Sequence, residues 1–596
     1  MDFDRLNSIT VNEFSSLGSL GFDYDHQDRI TWITYPGNGE VCYQYDPDGR
    51  ITRVGRFHAI TEAQRSGADE KTDYSYDGKG RLEGVSYPNG LNQYRRYYAD
   101  TGLLKEVGYQ YANGTLFYSD SYEHIPFTRL YHKVTRKTAT GGKTTEYAYD
   151  AYERVTMVLE PDGRKTVFEY DPFGNRLKEI ITNVNDASAT GGTPKAYGEY
   201  QYVYPNKSNR LTEIQYKAPG ESTFITIEML GYDMAGRLFF RAYFDVADNN
   251  IRQSQYLFDD RGLMTEFWHV DTNTMNITIS KYSYDALGNR RSKTVEDNTG
   301  FSETTHYLTA PIFGMSHVLA ELAPDMSIKA SYVYAGPQLL KEEPSATDRS
   351  LDLYMLHEGK VGSITHTVDM NGSVRNEYDY DTFGTRTNVK TANTGSNQHF
   401  GYTGEMIDAE SGLLYLRARY YDPAIGRFIS ADPYLGRLAE PVTQNRYIYV
   451  HNNPLLYADP SGMFVPLIVP GAAALVHWGR NYWNEEVSDI SDVNDWTELT
   501  PDESIYHTMG PGNEGNRKFV SPDGHSEAVF GIDDSLVTDS ANAGTFNFFD
   551  PRLLGGVPHA ITDVAPYFIL GSSPSDMSNP QRFTTTYDHL TRQCNE

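Results

Sequence analysis

Cysteine is nearly absent. Cys42 and Cys594 are the only two in 596 residues and stand almost the whole chain apart, so neither a disulfide framework nor a zinc ribbon can be built. Positive charge is also short: 52 Lys and Arg face 80 Asp and Glu, a formal net charge of −28. Such a field repels a polyanion, which excludes nucleic acid as a partner of the surface at large, and solubility is its plainest effect. Long apolar runs are missing. The longest, Phe464 to Trp478, has 15 residues and two internal prolines, too short to span a bilayer. No transmembrane segment is therefore expected. The opening residues, MDFDRLNSITVNEF, lack the basic start and apolar core of a signal peptide. A protein that is cytoplasmic at first, and secreted or surface-borne only by a specialised route, is the expectation.

Tyrosine is what the chain has in excess: 47 Tyr against 27 Phe and 5 Trp, with hydrophobic residues at only 39%. A ring that packs while its hydroxyl finds a partner suits a half-wet sheet face, so broad β surface is expected rather than one apolar core. The tyrosines also recur in register. The unit is an aromatic, Asp, a few variable residues, Gly or a substitute, Arg and an apolar residue. It reads YDHQDRI from Tyr24, YDPDGRI from Tyr45, YDGKGRL from Tyr76, YDAYERV from Tyr149 and YDPFGNRL from Tyr170. It returns as YDMAGRL from Tyr232, FDDRGLM from Phe258, YDALGNRR from Tyr284 and YDTFGTR from Tyr380. Asp and Gly in the middle are turn formers, and the flanks alternate with β-branched and aromatic residues at period two. Each unit is thus predicted to be a strand, a tight turn and a strand, with Asp and Arg meeting across the turn and joining neighbouring hairpins. One hairpin cannot bury its own face, so neighbours must stack into a continuous sheet whose edges are closed or covered. Two polar stretches, 183 to 196 and 387 to 398, break the pattern and read as loops on the outside.

Nine such units in register resemble the Rhs and YD-repeat proteins, relatives of insecticidal toxin-complex components and of teneurins. The resemblance implies a mainly β fold in which hairpins coil into a hollow, cocoon-like shell. From Tyr354 the text becomes denser. Tyr354-Met-Leu-His357 and Phe400-Gly-Tyr-Thr-Gly404 come first, then Ser411-Gly-Leu-Leu-Tyr-Leu-Arg-Ala-Arg-Tyr-Tyr-Asp-Pro423. Gly426-Arg-Phe-Ile-Ser-Ala-Asp-Pro433, Asn445-Arg-Tyr-Ile-Tyr-Val-His-Asn-Asn-Pro454 and Asp459-Pro-Ser-Gly462 complete it. This succession is similar to the Rhs repeat-associated core. It implies residues 1–353 as repeat shell, 354–463 as the core that closes it, 464–512 as a linker with an apolar segment, and 513–596 as a variable effector-like domain, α+β or β-rich.

In the family this core is an intramolecular aspartic protease that cuts just past an Asp-Pro-x-Gly motif, which here places the cut between Met463 and Phe464. Two carboxylates with separated proton affinities are needed. Asp432 matches one family position. The second is open between Glu440 and Asp459, because the Asp-Gly common in relatives before the Asn-x-Tyr segment is replaced by Glu440-Pro-Val-Thr-Gln-Asn445. Asp432 and Asp459 are equally readable as turn-forming Asp-Pro pairs.

Past Met463 the tail carries 6 basic and 19 acidic residues. His525, Glu527, Asp539, His559 and Asp563 are its candidates for a general base or a metal site, with turns and caps as the plainer reading. No HExxH, nucleophile elbow or phosphate-cradling loop occurs there, and no cofactor is implied. By its position the resemblance implies a toxin in the tail, with an immunity protein as its partner and a second shell or delivery protein as the shell's. The alternatives are a non-enzymatic surface adhesion protein and a truncated orphan product.

Overall fold

The structure, a computed structural model, describes residues 8–9, 20–36, 39–57, 70–185, 195–205, 208–245, 250–344, 348–391, 398–435 and 441–463, with short strands at 467–468, 497–498, 517–520 and 527–530. The chain divides into two compact units, Ser8–Val476 and a second that contains residues 477 to 596. The fold is mainly β, and no α-helix occurs among the described residues.

The first unit is built on a 31-stranded antiparallel sheet running from Ser8–Ile9 to Arg386–Thr391. Each strand pairs with the next in sequence, as Arg164–Tyr170 does with Arg176–Asn183 and Asn276–Tyr284 with Arg290–Asp297. The result is one continuous meander. Alternation follows the sequence: in Arg164–Tyr170 the side chains of Arg164, Thr166 and Phe168 are buried while those between them are half-exposed.

The repeat motif makes a bulged turn. Tyr45 faces Ile51 and Tyr170 faces Arg176, each just past a register shift, and a bulge of this kind adds local twist to the wall. Within the turn, Asp46 Oδ1 accepts from Arg50 N at 2.9 Å and Oδ2 from Arg50 Nε at 2.6 Å. Asp25 with Arg29, Asp77 with Arg81, Asp150 with Arg154 and Asp233 with Arg237 repeat the pattern. The Asp–Arg pair therefore closes its own turn, contrary to the expectation that it joins neighbours. The joining is done by two other contacts. Each Arg lies over the aromatic ring of the next unit, Arg29 over Tyr45 at 4.5 Å, Arg50 over Tyr76 at 4.8 Å and Arg154 over Tyr170 at 4.9 Å. Each Tyr hydroxyl reaches back to a carbonyl of the unit before it: Tyr45 to Ile30, Tyr76 to Ile51 and Tyr170 to Val155, at 2.7 to 2.8 Å. On a half-buried ring the hydroxyl finds an acceptor there, which suits Tyr at this position, although Phe258 fills it in one unit.

Late strands lie against early ones. Tyr35 and Tyr43 donate to the carbonyls of Tyr332 and Tyr334. Arg56 pairs with Glu343, and Lys341 with Glu70, all buried. Tyr109 donates to His357 O, and Arg136 reaches Asp379. Two residues of the stretches read as outside loops belong to this interior. Lys195 pairs with the buried Glu179 at 2.7 Å, and Gln398, itself buried, donates to Glu342. The strand Arg386–Thr391 also runs into the second stretch. Polar composition hid these residues because their partners are distant in sequence.

The end block follows as a four-stranded sheet, Met406–Asp408, Leu413–Leu416, Arg419–Asp422 and Arg427–Phe428. It bonds to the repeat turns one after another. Asn453 donates to Glu153 O, Asn452 to Gly174 O, Asn445 to Phe173 O and Tyr447 to Gly236 O. Buried ion pairs fix it further: Arg290 to Asp408 at 2.6 Å, and Arg241 to both Glu228 and Asp422 at 2.7 Å. Beyond it, Tyr457–Ala458 pairs with Leu467–Ile468. In the second unit Thr497–Glu498, Arg517–Val520 and Glu527–Phe530 form a three-stranded sheet.

Candidate functional site

The hairpin of Leu413–Leu416 and Arg419–Asp422 turns through Arg417 and Ala418, with Arg417 in the left-handed region at φ 60°. That tight turn brings Arg417 and Arg419 to the last segment of the block, residues 458 to 463. Arg419 is the centre. Its Nη2 lies 2.7 Å from Asp432 Oδ2 and 3.6 Å from Asp459 Oδ2. Its Nε donates to Gly462 O, its Nη1 to Arg446 O at 3.2 Å, and its guanidinium sits 3.6 Å from the centre of the Phe428 ring. Asp432 and Asp459 are each 4% exposed and Arg419 5%.

Asp432 is placed by backbone on both sides. Its N–H donates to Arg446 O, its carbonyl accepts from Arg446 Nε, and its Oδ1 accepts from Tyr434 N at 2.8 Å. Asp459 Oδ1 accepts from Ser461 Oγ at 3.0 Å. Burial pushes the Asp459 carboxyl up to about 7, against the pull of Arg419 and of the Ser461 hydrogen bond. Burial also lowers the Arg419 guanidinium from its usual range, although it stays a cation at neutral pH. A buried carboxyl that holds its proton near neutrality, beside an ion-paired carboxylate, is the arrangement from which acid and base roles are drawn.

The sequence-derived candidates separate clearly. Asp432 and Asp459, 27 positions apart, come together on one arginine. Met463 is described and 39% exposed. Glu440, Phe464, His525, Asp539, His559 and Asp563 lie outside the described residues. Glu527 opens the strand Glu527–Phe530, and only its backbone is described. Among the described residues no group of three or more His, Cys, Asp or Glu is placed to hold a metal ion, and no helix is long and apolar enough to cross a membrane.

Sequence reasoning missed Arg419, Arg417 and Ser461. The arginines stand in a run quoted for its resemblance alone. Their tight spacing around a turn was the available signal. Both Asp432 and Asp459 also make the short Asp-to-backbone and Asp-to-Ser turn bonds of the plainer reading, so the two readings are compatible.

The teneurin YD-shell family model matches residues 93–455. Toxin protein Tse5 of Pseudomonas aeruginosa is 47% identical over 438 residues, 71% of this chain and 29% of that protein. The tRNA3(Ser)-specific nuclease WapA of Bacillus spizizenii is 27% identical over 329 residues, 54% of this chain and 12% of that protein. A crystal structure of TcdB2-TccC3-TEV superposes with a TM-score of 0.51 at 17% identity, over 78% of this chain and 22% of that one, a likeness of fold. The chain thus spans less than a third of the length of either curated relative.

Proposed function

We propose a function from one premise: this chain belongs to the teneurin YD-shell family, the Rhs and YD-repeat proteins. It serves as the shell of a polymorphic toxin, enclosing and delivering a C-terminal effector against bacterial competitors or a host. Its end block frees that effector by cutting after Met463. Residues 1–353 are the repeat wall, 354–463 the core that closes it, 464–512 the linker and 513–596 the effector. A small immunity protein against the tail, and a second shell or delivery protein, are the partners this reading calls for, with a specialised route out of the cell.

The observation that carries the release step is the convergence of Asp432 and Asp459 on Arg419, whose Nε holds the carbonyl of Gly462. Hydrolysis needs a base for water and an acid for the departing nitrogen. Asp432, ion-paired to Arg419, takes a proton from water as the oxygen adds to the Met463 carbonyl carbon. Asp459, protonated below pH about 7, gives its proton to the Phe464 nitrogen as the C–N bond breaks. One new carboxyl end and one new amino end result, and the two aspartates finish with their proton exchanged. In this reading Asp459, rather than Glu440, fills the role of the second family carboxylate.

The full-length chain, purified and weighed by mass spectrometry, tests this. The expected outcome is a tail fragment of about 15 kDa beginning at Phe464, the tail's share of 67.4 kDa over 596 residues. Asp432→Asn leaves one species of full mass. A wild-type chain that stays whole, or an Asp432→Asn chain cut as fast as wild type, sinks the release step. For the effector, bacteria making the full chain are compared with bacteria making a chain that stops at Met463. Growth arrest confined to the first supports it, and equal growth of both removes it.

A further inference from the structure

The turn at Arg417 grips the segment before the proposed cut at three consecutive carbonyls. Arg417 Nη1 donates to Pro460 O, Ala418 N–H to Ser461 O at 3.2 Å, and Arg419 Nε to Gly462 O. Arg417 is itself fixed by Glu405 at 2.9 Å and by Ser316 O at 2.8 Å. Gly462 sits at φ +66°, and a Cβ there would stand 2.3 Å from Leu416 O. Only glycine fits, and the chain has one path through this point.

On that path the backbone folds round the side chain of Ser461. Its Oγ lies 3.0 Å from Asp459 Oδ1, 3.1 Å from Met463 N and 3.3 Å from Met463 O. A hydroxyl has one proton to give and two lone pairs. It accepts from Met463 N–H, which leaves its single proton between two acceptors: the carboxyl of the buried acid and the carbonyl of the bond to be cut. With Asp459 ionised, the carboxylate is the stronger acceptor and takes it. With Asp459 protonated, the hydroxyl is free to turn to Met463 O.

We infer that Ser461 is a catalytic residue of the self-cleavage, its hydroxyl hydrogen-bonding the Met463 carbonyl oxygen as negative charge develops there. The inference rests on the release reading above. When water adds to the carbonyl carbon, the C=O electron pair moves onto Met463 O and is met by the Ser461 O–H. The pair returns as the C–N bond breaks, and Ser461 ends with the proton it began with. The contact is long before reaction, as such bonds commonly are, and shortens as charge grows. Serine occupies the variable position of Asp459-Pro-Ser-Gly462, so this donor is a property of the present chain.

Ser461→Thr and Ser461→Val test it in the full-length protein, since the two side chains share a shape and differ by the hydroxyl. Thr is expected to cut at close to the wild-type rate and Val about 100-fold more slowly, the usual effect of losing one such donor. The pH profile gives a second reading. The groups facing Asp459 are Arg419, Asp432, Tyr449 and Ser461, and only the Ser461 bond is removed. That bond favours the ionised acid, so in Ser461→Val the loss of activity above neutrality moves to higher pH. Val cutting as fast as Thr, or Thr as slow as Val, overturns the role of the hydroxyl while Asp432→Asn still blocks the cut. If wild type stays whole, or Asp432→Asn is cut as fast as wild type, the release reading fails first and takes this inference with it.

Discussion

Aspartate and arginine meet in two parts of this molecule, and the same pair does different work in each. In the repeat turns Asp25 and Arg29 lie 2.5 Å apart with side chains 17% and 20% exposed. The turn N–H groups and the arginine hold Asp25 below its usual range although partial burial opposes them. In the end block Arg419, Asp432 and Asp459 are almost wholly buried, and burial lifts Asp459 to about 7. Water decides the difference. At the rim it screens the pair, which then fixes local geometry and contributes roughly 0 to 1 kcal/mol. Inside, two acids share one cation, and the acid farther from it keeps its proton. The same pair can thus repeat at half-exposed turns and appear once with an acid that holds its proton near neutrality.

The sharpest break in that comparison is Asp432→Asn or Asp459→Asn, which should lower self-cleavage by about 10² to 10⁴-fold, read from the fraction of intact chain over time. Asp77→Asn in a repeat turn should leave the rate unchanged. A buried structural pair sharpens it from another side. Arg290→Ala strands Asp408 with only Lys293 at 3.4 Å and should cost about 3 kcal/mol in denaturant unfolding, whereas Arg290→Met with Asp408→Leu should recover most of that loss. The pH profile comes next. Asp459 acts as acid while protonated and has a raised value of about 7, so the rate should hold below neutrality and fall above it by about tenfold per pH unit. The smallest effect belongs to the wall. Tyr170→Phe removes one bond to Val155 O and should cost about 1 kcal/mol with cleavage intact.

The wall was the legible part. Asp, Gly and Arg within seven residues encode a turn whose bonds are all local, so the strands on either side could be read one hairpin at a time. What local pattern misplaced was direction. Arg154 closes its own turn and then reaches Asp171 O and the Tyr170 ring of the next. A stacking partner 16 positions away has no short-range signature. The end block was legible by resemblance, and so was Asp432, while Asp459 stood as one of two choices beside Glu440. The meeting of Asp432 and Asp459 depends on Arg419, which lies 13 positions before one and 40 before the other. Ser461 stood unremarked in Asp459-Pro-Ser-Gly462, and its bonds to Asp459 and Met463 are those of a turn. Gln398 and Lys195 were lost because their carboxylate partners sit on other strands, Glu342 56 positions before Gln398 and Glu179 on the strand preceding Lys195.

A sheet whose strands each pair with their immediate predecessor has a consequence for how the protein is made. Every hairpin can form once its own residues have left the ribosome, because the two strands it joins are neighbours in sequence and no distant segment is needed to pair them. Growth is then one-dimensional, and a unit gained or lost in evolution changes the length of the wall without redrawing it. The contacts between early and late strands, Arg56 to Glu343 and Tyr109 to His357 among them, wait until the later strands have been synthesised. Arg419, Asp432 and Asp459 emerge later still. Translation order alone therefore sets a clock: the wall stands before the buried acids of the end block exist.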